Sequence, residues 1–300
     1  MTGRGILRCV LTVLRCVLTV LACSLAAGAG VAANAAASSG ASSDATRAVC
    51  GSASHSALAG LLSRDITAAV RGRVSSVGLA VDDPGAGLYC GLAADRHYDS
   101  ASTVKATILA ALLREKMREH KSLTSAEREL ASEMITESDN DAASALWDDV
   151  GRAGLQHFLD LAKMTQTVLG AGPLWGLTQI TARDETRLLG VLTTKNSVLD
   201  ATARAYELRL MASVIPDQRW GVPAGTRAGV TVHLKNGWLP LDDDDWVIDS
   251  IGCFDDADRY YSIVVLTDED PSMTYGIDTI EDVARVLNRE LGRVTGRRAG

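Results

Sequence analysis

Three things are missing from this sequence; two remove a class of function and the third bears on mechanism. No basic block appears beyond the short tail GRVTGRRAG, and the formal net charge is −7. The electrostatic footprint of a nucleic-acid binder is therefore missing. The six Cys and five His form no Cys-x-x-Cys or His-x-x-x-His spacing, so no metal site is suggested. Asp and Glu are absent from Leu161 to Ala182, a gap that bears on the chemistry below. What remains is 300 residues with 47% hydrophobic side chains. That is an ordinary soluble composition, long enough for one large domain or two modest ones.

The first residues carry Arg4 and Arg8, then an apolar core, then a run rich in Ala and other small residues. This reads as a secretory signal peptide over residues 1–35, followed by a flexible linker over 36–50. The heptapeptide LRCVLTV occurs twice in tandem, Leu7–Val13 and Leu14–Val20, which lengthens the apolar run toward a membrane anchor. Arg15 interrupts that run and small residues follow it, which favours cleavage. VLAC, ending at Cys23, matches a lipoprotein cleavage box poorly because Leu21 is bulky, so lipidation at Cys23 is the weaker alternative. The expectation is an exported protein, secreted or associated with the cell envelope, in an oxidising compartment. Removing the leader leaves Cys50, Cys90 and Cys253, enough for one disulfide and one free thiol.

Downstream, SALAGLLSRDITAAV places Leu58, Leu61, Leu62, Ile66 and Val70 at helical spacing. SVGLAVDDPGAGLYCGLA reads as two strands around an Asp-Pro-Gly turn. Cys50 precedes that helix and Cys90 lies on the second strand, which the helix should cover. The predicted disulfide is therefore Cys50–Cys90, with Cys253 a buried thiol. From Ser102 the pattern is helical for about a hundred residues. Thr124 with Glu127, and Thr181 with Asp184, stand at helix-capping spacings. VTVHLKNGWL, WVIDSIGCF and YYSIVVLTD then read as three strands, and a last helix carries Ile277, Ile280, Val283, Val286 and Leu287. Strands at both ends around a helical insert predict an α/β fold: an antiparallel five-stranded sheet built from both chain ends, flanking helices, and an all-α subdomain. The domain spans 51–300, its α/β part about 51–100 and 225–300, its all-α part about 101–224.

Ser102 and Lys105 sit three residues apart at a helix start and share a face. A Ser hydroxyl is a weak nucleophile until a base takes its proton, and a Lys is that base only when its pKa is lowered. A Ser-x-x-Lys match arises by chance about once in a chain of this length. Ser138-Asp139-Asn140 between two helical runs is far rarer, about once in several thousand residues. Lys235-Asn236-Gly237 follows inside a strand. The three together, in this order, form the signal.

This set resembles class A β-lactamase-type serine hydrolases, within the wider clan of penicillin-binding enzymes. The resemblance covers roughly Ser54 to Leu291, and RHYDSASTVKATILAALL is similar to the family's nucleophile segment. It implies Ser102 as acylated nucleophile, Lys105 as proton acceptor and Ser138 as relay to the leaving nitrogen. Asn140 would hold Lys105 and the substrate amide. Lys235 would bind a substrate carboxylate, and the N–H groups of Ser102 and Leu239, just past Gly237, would form the oxyanion hole. RWGVP resembles a segment in which Arg219 would meet the carboxylate.

Two departures stand out. Asn236 replaces a hydroxyl residue, leaving an amide to donate to the carboxylate. The loop that in this family keeps a Glu to activate the deacylating water has no acid from Leu161 to Ala182; Asp160 and Asp184 flank it on expected helices. His233 and His157 read as packing or surface residues. Asp242–Asp245 reads as a solvated turn, and Trp175, Trp220 and Trp246 read as core. The expected function is β-lactam or related amide hydrolysis with slow deacylation. D,D-peptidase or esterase action and a non-catalytic penicillin-binding sensor are the alternatives. The expected partner is a small β-lactam or peptide-like molecule, with no cofactor, metal or nucleic acid, on a monomer.

Overall fold

The computed structural model describes residues 47–241, 245–256 and 259–293. The signal peptide, the tandem repeat and Cys23 lie outside the described residues, as does most of the Asp242–Asp245 turn.

The alternating and apolar runs form strands β1 (Val49–Ser52), β2 (Ser76–Asp83), β3 (Leu88–Leu92), β6 (Thr231–Pro240), β7 (Trp246–Asp255) and β8 (Tyr260–Asp270). They make one antiparallel sheet in the order β1-β3-β2-β8-β7-β6, so its centre joins strands from the two ends of the chain. The sheet has six strands where the sequence predicted five. The extra strand, β1, begins inside the stretch read as linker. It is four residues of VCGS with no apolar alternation, so no period betrays it. Its place is fixed by pairing: Cys50 lies directly opposite Cys90 and the two are bonded. Cys253 is a buried free thiol.

Period two along β8 sends Ile263 and Val265 to one face and Val264 and Leu266 to the other. The first face packs under α1 (Ser56–Ala69) and α7 (Met273–Leu291), through Leu62, Ile66, Ile280, Val283 and Leu287. The second face carries α2 (Val104–Arg118), α3 (Ser125–Ser132), α4 (Asn140–Ala162), α5 (Ala182–Thr193) and α6 (Ala201–Ala212). Each fully buried aliphatic side chain here is worth about 1.5–3 kcal/mol of transfer free energy. Residues 104–113 of α2 are all buried, which makes it the central helix. A two-stranded ribbon, β4 (His97–Asp99) with β5 (Gln179–Thr181), ties the approach to α2 to the start of α5. No helix among the described residues is long and apolar enough to cross a membrane.

Candidate active site

Ser102 lies in a short 3-10 turn, Ala101–Thr103, that leads into α2. The turn is tightly specified. Ser100 N–H donates to Thr178 O at 2.8 Å. The N–H and hydroxyl of Thr103 both donate to Ser100 O, at 2.9 and 2.6 Å. Ala101 takes a positive φ of 43°, unusual for a residue with a Cβ. Strand β6 runs alongside so closely that a Cβ on Gly237 would stand 2.8 Å from Ser102 N. Glycine is required there by proximity.

Lys105, the second residue of α2 and one turn on from Ser102, is fully buried. Its ammonium donates to Ser138 O at 2.6 Å, Ser138 Oγ at 3.1 Å and Asn140 Oδ1 at 2.7 Å. Two local devices present those acceptors. A π-helical turn, Glu133–Glu137, ends at Ser138 in the left-handed conformation (φ 60°, ψ 35°). Asp139 then caps α4 by accepting from Ala142 N–H, which makes Asn140 the first helical residue. From the sheet, Lys235 Nζ donates to the same Ser138 Oγ at 3.0 Å and to Asn236 O at 2.9 Å. The Ser138 hydroxyl therefore lies between two amines. Ser102 Oγ itself has no hydrogen-bond partner among the described residues.

Burial pushes Lys105 from the usual lysine range down to about 7, with Asp139 pulling the other way. Lys235 is held well below its ordinary value, first by burial and then by the neighbouring Lys105. No carboxylate among the described residues contacts either amine, so an uncharged amine is within reach near neutral pH.

Three expected residues do not take their expected places. The Asn236 amide is spent elsewhere: Nδ2 donates to Gln218 O and Trp220 O, both at 2.9 Å, and Oδ1 accepts from Ser250 Oγ at 2.6 Å. It buttresses the Gln218–Trp220 loop and has no N–H left for a substrate. Arg219 is likewise committed, to Ala212 O at 3.1 Å and Val232 O at 3.3 Å. Leu239 is out of phase. Asn236 O points off the open edge of β6 toward Lys235 Nζ. Backbone groups alternate sides along a strand, so Trp238 N–H shares that edge while Leu239 N–H turns to β7.

The acid-free loop is closed by its flanking acid. Asp184 accepts from Gln166 N–H at 2.8 Å and Thr167 Oγ1 at 2.9 Å, and pairs with Arg187. Asp160 accepts from Gln156 near the end of α4. The loop instead brings Trp175 over the site, its ring centroid 4.9 Å from Lys105 Nζ. No local spacing signals this contact, and the sequence reading placed Trp175 in the core. His233 shares the Lys235 face but bonds Leu208 O through Nδ1, a packing role.

A family model described as the beta-lactamase enzyme family matches residues 120–291, more than half of the chain. That span includes Ser138, Asn140 and Lys235 and begins beyond Ser102 and Lys105. No curated protein sequence matches. Among solved structures, a variant of PBP-A with a single Leu-to-Glu change, in an acyl-enzyme complex with penicillin G, is similar. Its identity is 19% and TM-score 0.68, covering 78% of this chain and 97% of that one. The TLA-1 extended-spectrum β-lactamase is 17% identical with a TM-score of 0.70, covering 77% and 98%. A β-lactamase from Xanthomonas campestris pv. campestris is 18% identical with a TM-score of 0.67, again covering 77% and 98%. At these identities the likeness is one of fold.

Proposed function

The chain belongs to the beta-lactamase enzyme family, and on that premise we propose that it is an exported serine hydrolase acylated on Ser102 by β-lactams or related amides, with slow release of the acyl group. The observation that carries the reading is the Ser138 hydroxyl between Lys105 and Lys235, at 3.1 and 3.0 Å. Uncharged Lys105 takes the Ser102 proton as Oγ bonds the carbonyl carbon. The carbon–nitrogen bond then breaks, and the leaving nitrogen takes the Ser138 proton, which Lys105 replaces. The Ser102 and Trp238 N–H groups receive the developing oxyanion. Export is supported by the leader reading and by a disulfide of the kind that persists in oxidising compartments.

Deacylation needs a base for water, worth typically about a hundred- to ten-thousandfold. With no acid between Leu161 and Ala182 and with Asp184 bonded into the loop, that help falls back on Lys105. Stopped-flow hydrolysis of a chromogenic cephalosporin tests this: a burst of about one product per enzyme, then a slow steady state. Rapid linear turnover without a burst contradicts it. A second reading, D,D-peptidase or esterase, uses the same proton path. The commitment of both Asn236 amide hydrogens to backbone carbonyls favours the esterase form, on an acyl donor without a carboxylate; a D,D-peptide carries a carboxylate as a penicillin does. Acylation by a neutral thioester outpacing acylation by a penicillin would select the esterase form.

A further inference from the structure

We propose that Trp175 is a positioning residue of this site: its indole roofs Lys105, keeps water off the amine, and so keeps it competent as the base for Ser102. The inference rests on the reading of Lys105 as that base.

The geometry carries it. Lys105 has no exposed surface, while Trp175 is partly exposed, so the indole stands between the amine and solvent. The ring face lies over Nζ at 4.9 Å to the centroid, while Ser138 and Asn140 accept its hydrogen bonds. The ring is held from both ends. Its Nε1–H donates to Ser144 Oγ at 3.1 Å, and Ser144 donates to Asn140 O at 2.9 Å, on the helix that also grips Lys105. Its backbone belongs to a short turn, Trp175–Leu177, whose continuation at Thr178 O accepts Ser100 N–H beside the nucleophile. The wider loop is clamped by Trp147 Nε1–H on Gly172 O at 3.1 Å and Arg152 on Gly170 O at 2.8 Å. The charged groups facing Lys105 are Asp139, at the start of α4, and Lys235, on β6.

Two effects of the ring oppose each other. Its face attracts an ammonium ion, which favours the charged amine. Its bulk excludes water, which disfavours it, and burial is the dominant influence on Lys105. Removing the ring therefore readmits water, restores the ammonium and withdraws the base.

The test is the pH profile of acylation by penicillin G, followed by intact mass on the full mature protein. In Trp175→Ala the acid limb moves up by about one pH unit or more, acylation near neutral pH falls about tenfold, and the deficit closes toward about pH 10. Trp175→Phe keeps a ring over Nζ and follows the parent profile. Should Trp175→Ala fail to fold, Trp175→Leu, with a smaller roof, moves the limb in the same direction by about half as much. An unmoved limb, or a deficit of equal size at every pH, overturns the inference, as does a Phe variant that behaves like Ala. Failure of the parent to be labelled at any pH overturns this inference and the functional reading together. Normal labelling with an unmoved limb overturns this one alone.

Discussion

Gly237→Ala places one methyl group where the backbone of the nucleophile turn already lies. Gly237 is not among the positive-φ residues, so alanine suits its backbone and the conflict is purely steric. The new Cβ would stand 2.8 Å from Ser102 N, 2.9 Å from Ser100 O and 3.1 Å from Ala101 Cβ. Ordinary contact begins near 3.4 Å, so the gap must open by about half an ångström. Neither side yields easily. Strand β6 is paired with β7 from Thr231 to Pro240. The turn is pinned by Thr178 O and by the two Thr103 bonds to Ser100 O. Overpacking of this kind costs about 1–3 kcal/mol, and a 1 Å misplacement at a reacting group about a hundredfold in rate. Urea unfolding should show a lower midpoint at unchanged slope, and acylation of Ser102 should slow by about ten- to a hundredfold. A variant as stable and as readily acylated as the parent would refute the claim that this approach positions the nucleophile.

Three further outcomes follow from buried polar groups and from the disulfide. Glu185 is fully buried, neither carboxyl oxygen has a partner, and burial pushes its pKa up to about 8, with Asp184 adding to the shift. An acid whose folded pKa lies above its unfolded one takes up a proton on folding between the two, so stability falls as pH rises from about 4.5 to about 8. Glu185→Gln should match the parent in thermal unfolding near pH 4 and exceed it by about 2–3 kcal/mol near neutral pH; an equal gap at both would refute the assignment. The Cys50–Cys90 bond spans 40 residues, and reducing it should cost roughly 3–4 kcal/mol. Peptide mapping without reduction checks the pairing, and finding Cys253 linked would contradict it. Asn236→Ala strips three hydrogen bonds from the Gln218–Trp220 loop and Ser250, so it should lose about 2–3 kcal/mol in urea unfolding while acylation near neutral pH changes less than about threefold. A large rate loss at unchanged stability would mean that the amide meets the substrate after all.

What was legible in the sequence was local. Ser102 and Lys105 share a helix face three residues apart, and together with the rarer Ser138–Asn140 triple and Lys235–Gly237, in that order, they form the signal. The long strands show as apolar, β-rich runs, and the Thr124 and Thr181 caps show their spacing. Strands β1, β4 and β5 are three or four residues long and exist because a distant partner pairs with them, so no pattern marks them. Asn236 looks like a donor in its motif, yet its amide is claimed by carbonyls on a loop 16 to 18 residues earlier. Which N–H faces the open edge, that of Trp238 or Leu239, depends on the phase of pairing with β7. Trp175 reaches Lys105 only because α4 and the nucleophile turn dock its loop there.

The central claim is that Ser102 is acylated. Intact-mass spectrometry of the mature protein with penicillin G, followed over hours and with peptide localisation, tests it most directly. Ring opening loses no atoms, so the account predicts a gain equal to one whole penicillin, carried on the Ser102 peptide, persisting through turnover and absent in Ser102→Ala. An adduct that survives in Ser102→Ala, or no adduct in the parent at any time, would contradict it.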